Sequence, residues 1–195
     1  MAITNGYATL AEVKKFIDEE TDDFNTQIER AVEAVSRAID SITGRTFYTT
    51  TATAKQLTAH FTDKMYVPEC VSITSVKTDT AGDRTYATTL TTADHYEVSD
   101  GSPIHTLYIK PASTKHFLTG RGNVEVTAEW GYSSAAPANI KEATILGAAR
   151  LFRRKDAVFG VVGGGSVGTS QVSTHLRQDV GFMMLIEHMC RAEVY

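Results

Sequence analysis

Fifteen of the 47 residues from Thr46 to Thr92 are threonine. A branched β-carbon crowds the turns of a helix but sits well on a pleated surface, so this density marks the block as strand. Short strand-like runs continue from there to Tyr132: "KQLTAHF", "KMYVP", "CVSITSVKTD", "DHYEV", "IHTLYIK" and "NVEVTAEWGY". The turn signals "AGD", "SDGSP" and "GRGN" separate them. A parallel pair needs a crossover of a dozen or more residues, usually helical. No such segment interrupts the block, so its strands must pair antiparallel. The last run alternates cleanly. Val124, Val126, Ala128 and Trp130 share one face, and Glu125, Thr127 and Glu129 share the other. That is the pattern of a sheet with one face on a core and one in water. The expectation for residues 46–132 is an antiparallel β-sandwich or partial barrel, its strands lying between residues 55 and 131, with Trp130 as a core anchor.

Helical periodicity flanks the block on both sides. In "ATLAEVKKFIDEE", Thr9 and Glu12 have the spacing of a capping box, and Leu10, Val13, Phe16 and Ile17 recur on one face. "NTQIERAVEAVSRAIDSITG" carries Ile28, Ala31, Val32, Val35, Ile39 and Ile42 in a stripe, with Gly44 placed for a left-handed C-cap. Beyond the strands, Pro137 suits a first helical turn and "ANIKEATILGAARLFRRK" continues the period. A closing apolar segment follows Asp179. Helices are predicted near 10–20, 25–43, 138–155 and 179–193. The fold class is therefore α+β. A helical bundle of two N-terminal and two C-terminal helices, residues 1–45 and 133–195, carries the β region as an insertion.

With 42% hydrophobic and 22% charged residues, the chain has enough apolar material for a packed core. Its net charge of −4 argues against a protein that works by wrapping phosphates, since such domains are strongly basic. Two distant cysteines, Cys70 and Cys190, make neither a disulfide framework nor a zinc spacing. The N-terminus lacks the basic start and apolar run of a leader, and no stretch reaches the ~20 apolar residues of a membrane span. A soluble protein made in a cytosol is expected.

The segment "GVVGGGSVG", Gly160 to Gly168, holds two catalytic look-alikes. Gly163, Gly165 and Gly168 spell the G-x-G-x-x-G of dinucleotide sites, which requires a strand before it and successive parallel βαβ units. Gly164, Ser166 and Gly168 spell a nucleophile elbow, with Asp179 and His188 in the order of a hydrolase triad. That elbow needs a mixed α/β sheet, and Asp179 and His188 would come from one short helix nine residues apart. A glycine-rich loop that orders only when a partner holds it is the simpler reading. His60, His95, His105, His116, His175 and His188 show no metal-ligand spacing, and the acids from Asp18 to Asp23 lack that of a calcium loop. Catalytic residues, cofactors and metals are accordingly not expected. The cluster Arg150, Arg153, Arg154 and Lys155 complements a helix C-terminus or docks an acidic partner. The last helix has more apolar side chains than one core-facing stripe requires.

The order of segments resembles a known family. "TLAEVKKFID", "DDFNTQIERAVEAVSRAIDSITGRTFY", "VSITSVKTD" and "GNVEVTAEWGY…PANIKEATILGAARLFRRKD" are similar to the head-tail connector proteins of tailed bacteriophages, the head-completion adaptors, and to their relatives in prophages and gene transfer agents. The "TGR" after the second helix, the "WGY" ending the last strand and the "LFRR" beyond carry the likeness. It implies a virion structural protein of the neck, made in the bacterial host cytoplasm. It implies a ring of twelve copies beneath the portal, touching the portal protein on one side and a stopper or tail-completion protein on the other. Genomic DNA would pass through the ring without sequence-specific binding. Neither an enzyme nor a membrane protein is expected from it. On this reading the docking residues are Arg150, Arg153, Arg154, Gly163, Gly164, Gly165, Phe182, Met183, Met184 and Met189, and loss of residues 160–195 should abolish incorporation into virions. The alternatives are a neck stopper or tail-terminator protein and, more remotely, a small serine hydrolase using Ser166.

Overall fold

Two units divide the chain: Met1–Arg45 together with Ala136–Tyr195, and Thr46–Ala135. The computed structural model describes residues 3–99, 103–154 and 179–191. Among these it has four helices and one antiparallel sheet of six strands, an α+β fold.

The first unit is helical. In α1, Leu10–Ile17, Thr9 Oγ1 accepts from the Glu12 backbone N–H at 3.2 Å while Glu12 Oε2 accepts from the Thr9 N–H at 2.8 Å. Two donors at the helix end are thus satisfied reciprocally. The helix stops at Asp18, which turns left-handed (φ 59°), short of the predicted residue 20. Residues 18–23 offer no apolar side chain to bury, and the Lys14 ammonium holds this loop by Thr21 O at 2.7 Å and Asp22 Oδ1 at 2.9 Å. Phe16, placed on the buried stripe by spacing, instead stands 52% exposed. The second helix, α2, Asn25–Thr43, buries Ile28, Ala31, Val32, Val35 and Ile39 and closes at Gly44 (φ 67°). Ser36 and Thr43 also lie in its buried face, their hydroxyls donating to Val32 O and Ile39 O at 2.8 Å each, so neither buried polar group is left unpaired.

The third helix, α3, Ala138–Arg153, begins at the predicted residue 138, with Pro137 as its N-cap, and ends at Arg153, short of the predicted 155. A Cβ on Gly147 would lie 2.8 Å from Val35 Cγ1 and 3.3 Å from Phe182 Cε2. The bare glycine lets α3 approach α2 and the Phe182 ring closely. The predicted last helix, 179–193, is shorter: α4 spans Val180–Ile186, then a single 3-10 turn, Glu187–Met189, leads into extended Cys190. The Arg191 N–H donates to Thr43 O at 2.8 Å, fixing this end on α2.

The second unit is the sheet. Its strands are β1, Thr53–Ala59; β2, Lys64–Thr78; β3, Thr88–Leu90; β4, His95–Val98; β5, Ile104–Ile109; and β6, Gly120–Trp130. Their order is β1-β6-β2-β5-β4, with β3 on the far half of β2, and every pair is antiparallel. All six belong to one connected sheet. "KMYVP" and "CVSITSVKTD", read as separate strands, are one long strand. Pro68 has no N–H to offer a ladder, and the register skips there: Tyr66 pairs with Thr106 and Cys70 with Ile104, four residues against two. The three-residue β3 had no signal in the spacing. Val124, Val126, Ala128 and Trp130 are all buried, as the alternation of β6 predicted, around a core that includes Met65, Leu107 and Phe117.

Candidate functional site

The sequence points to assembly rather than chemistry. At the end of α3, Arg150 forms an ion pair with Asp179, whose Oδ1 also accepts the Phe182 N–H at 3.0 Å as the N-cap of α4. A residue read as a docking cation therefore ties two helices together. Arg153 and Arg154 are exposed beside it. On α4, Phe182 and Ile186 are fully buried, whereas Val180 and Met184 stand 72% and 65% exposed. Four-residue spacing puts the last two on one outward face. Met183 and Met189 are half-buried. Gly163, Gly164, Gly165 and Ser166 lie outside the described residues, as does Lys155.

Asp179 and His188, read as triad partners, have other engagements. The Asp179 carboxylate caps α4 and pairs with Arg150, and His188 Nε2 meets Asn139 Nδ2 at 2.9 Å. Cys70 is buried, and desolvation pushes its thiol up to about 12, far from the thiolate a nucleophile needs. His95 is also buried, and the loss of water lowers its pKa, favouring the neutral ring. No cluster of three or more His, Cys, Asp or Glu suited to a metal occurs among the described residues. One groove there, of about 300 Å³, is lined by Gln27, Arg30, Ala31, Leu151 and Phe152. No helix among the described residues is long and apolar enough to cross a membrane.

Three features escaped the sequence reading. The first is the glycine of "WGY". Gly131 has φ 139°, and a Cβ there would lie 2.0 Å from the Tyr48 carbonyl oxygen. Its N–H donates to Glu69 O at 2.9 Å, and the Tyr132 N–H donates to Thr46 O at 2.8 Å. The second is Asp79, which is buried. It accepts the backbone N–H groups of Gly82, Asp83 and Arg84 and so shapes the β2–β3 loop. "TDTAGDR" carried that signal as an aspartate before a glycine turn. The third is the exposed aromatic group on the sheet, where Tyr96 stacks on Tyr108 at 5.4 Å and Lys64 Nζ lies 4.4 Å above Tyr66.

A model of the family described as "head completion protein" matches residues 7–178. Three solved structures are similar over the whole chain. One is a protein of the neck of an empty gene transfer agent particle, computed with C6 symmetry (17% identity, TM-score 0.62, 100% of this chain and 95% of that one). The second belongs to the neck of the native particle, computed with C12 symmetry (20%, 0.61, 100% and 94%). The third belongs to the virion of the native gene transfer agent particle (18%, 0.62, 100% and 95%). These likenesses show the fold. No curated protein matched the chain. The family match spans nearly all of the sequence, from ahead of α1 to the residue before Asp179: the chain belongs to the head completion protein family.

Proposed function

We propose that this head completion protein, a structural protein of the virion neck that joins head to tail, works as the ring-forming adaptor beneath the portal. The observation that carries the reading is on α4: Phe182 and Ile186 saturate the core-facing stripe, yet Val180 and Met184 present a second apolar face outward. Exposed apolar side chains in such a pair are the material of a subunit or partner contact. The four helices act as a bundle that forms the ring body, and the sheet is a partial barrel inserted into it in sequence. Twelve copies surround the channel. The portal lies on one side, met by the α3–α4 end with Arg153, Arg154 and the glycine-rich residues 163–165, and a stopper or tail-completion protein lies on the other. A net charge of −4 suits a channel through which DNA slides, because each added Lys-phosphate contact would strengthen adhesion. The chain is made in the host cytoplasm.

The test is a pull-down by purified portal. Wild-type protein binds, and a Val180→Asp, Met184→Asp double variant, which leaves Phe182 and Ile186 in place, binds at least tenfold more weakly, a loss of about 1.4 kcal/mol. Equal binding by both refutes α4 as the docking face. Binding to isolated tail components but not to portal favours a stopper.

A further inference from the structure

Ahead of α1, the chain is held to α2 by polar contacts. The Thr4 N–H donates to Glu33 Oε1, the Tyr7 N–H to Ser36 Oγ at 3.1 Å, and the Tyr7 hydroxyl to Asp40 Oδ1. Within this segment Asn5 is exposed, left-handed (φ 60°) and followed by Gly6. Its backbone carbonyl accepts from Arg37 Nη2 at 2.8 Å, while Arg37 Nη1 pairs with Asp40 at 3.2 Å. Among the described residues no hydrogen bond engages the Asn5 side-chain amide or the Gly6 N–H. The chain has three other asparagines, and they differ on each of these counts. Asn25, Asn123 and Asn139 stand in α2, β6 and α3 and are followed by the β-branched Thr26, Val124 and Ile140. Their side-chain amides donate to Asp22 Oδ1, Thr119 O and Leu185 O.

We propose that Asn5–Gly6 is a self-modification site at which the chain deamidates, with Arg37 as the group that promotes it. The Gly6 nitrogen gives its proton to solvent base and attacks Asn5 Cγ. A C–N bond forms and closes a five-membered succinimide. The bond from Cγ to the side-chain nitrogen breaks, and that nitrogen leaves as ammonia after taking a proton from water. A second water opens the ring at either carbonyl, giving aspartate, or isoaspartate with the backbone rerouted through Cγ. The net change is one water taken up and one ammonia released, with no oxidant or reductant. Gly6 has no Cβ to obstruct the approach of its nitrogen, unlike the branched residues after the other three asparagines. The negative charge of the attacking amide is shared with the Asn5 carbonyl oxygen, the atom that Arg37 already touches. A donor preformed at an atom where charge develops lowers the barrier. The acids of the segment's contacts are already engaged, Asp40 by Arg37 and Tyr7 and Glu33 by the Thr4 N–H. The product carries a carboxylate where Asn5 was neutral.

The test uses the full folded chain, incubated in mildly alkaline buffer, digested, and mapped by mass spectrometry with fragmentation that separates aspartate from isoaspartate. The peptide holding Asn5 should exchange the mass of an NH2 for that of an OH at least ~10-fold faster than the peptides holding Asn25, Asn123 or Asn139. Isoaspartate should be among its products. Conversion of Asn5 no faster than the other three overturns the site. Asn5→Gln, which would have to close a six-membered ring, should stay unconverted over the same period. Arg37 is tested separately. Its side chain is 41% exposed, so the fold should tolerate Arg37→Met, and circular dichroism checks that it does. If Arg37 stabilises the amide anion, Arg37→Met slows conversion by ~3-fold or more, and Arg37→Lys restores part of the rate. If Arg37 only fastens the segment, Arg37→Met frees it and conversion speeds up. An equal or faster rate in that variant overturns the role of Arg37 and leaves the site standing.

Discussion

The Arg150 guanidinium pairs with the Asp179 carboxylate, and the same carboxylate caps α4. One side chain thereby joins the end of α3 to the beginning of α4. Asp179→Ala removes the cap and the pair together and should cost about 1 kcal/mol, mostly from the cap, because half-exposed ion pairs contribute little. Arg150→Ala should cost less. A thermal melt of each variant measures both. For docking the expectation reverses: Arg153→Glu should weaken portal binding in a salt-dependent way, while Arg150→Ala acts chiefly on stability.

Gly131 admits no side chain. Its φ of 139° disfavours any Cβ, and the Tyr48 carbonyl occupies the place where one would stand. Gly131→Ala should cost about 3 kcal/mol or more, since backbone must move. Gly82 also has a positive φ, 76°, nearer the left-handed helical region, and open space around it. Gly82→Ala should cost only the conformational penalty of about 1–2 kcal/mol. Urea midpoints of the two variants give the comparison. Equal losses would mean that strain alone, and not the Tyr48 contact, fixes the glycine.

Trp130 is 5% exposed and donates its Nε1 proton to Thr53 O at 2.9 Å, with Lys55 Nζ 4.3 Å above its ring. Trp130→Ala should cost roughly 3–5 kcal/mol. Trp130→Phe keeps most of the buried area and loses the hydrogen bond, a cost of ~1 kcal/mol plus the smaller ring. An unchanged melting temperature for the alanine variant would contradict the packing of β6.

How much of this was legible depended on the range of the interaction. The Thr9–Glu12 box, the α2 stripe, Gly44 and the alternation of β6 are local patterns, and each stands in the structure as read. Long-range contacts had no such trace. Pro68 broke one strand into two readings because a proline signals a stop, and only the switch of partner from β5 to β6 at Cys70 shows why it is tolerated. Phe16 fitted the α1 period yet faces out. Phe182, counted among docking residues, fills the space that Gly147 leaves. That burial also changes the truncation experiment. Deleting residues 160–195 removes Phe182 and Ile186 from the helical core, so lost incorporation would report unfolding as readily as lost docking.

Glu12 should make the helical unit acid-sensitive. The Thr9 backbone N–H, then the Lys141 ammonium at 3.0 Å, hold its carboxyl below its ordinary 4.5. A group with a lowered folded pKa stabilises above the unfolded value, and that contribution fades as pH falls through the folded value. Stability should therefore drop below pH 4.5, and Glu12→Gln should flatten this part of the profile while lowering the plateau above it. Melting curves from pH 6 to 3 separate the variants. An unchanged slope would remove Glu12 from the account.

Cryo-electron microscopy of filled particles tests the central claim most directly. The account predicts a closed ring of this chain at the portal vertex, twelvefold about the DNA axis, with the helical unit as the ring body and α4 against the portal. Density for the chain only below a separate ring, making no portal contact, would contradict it.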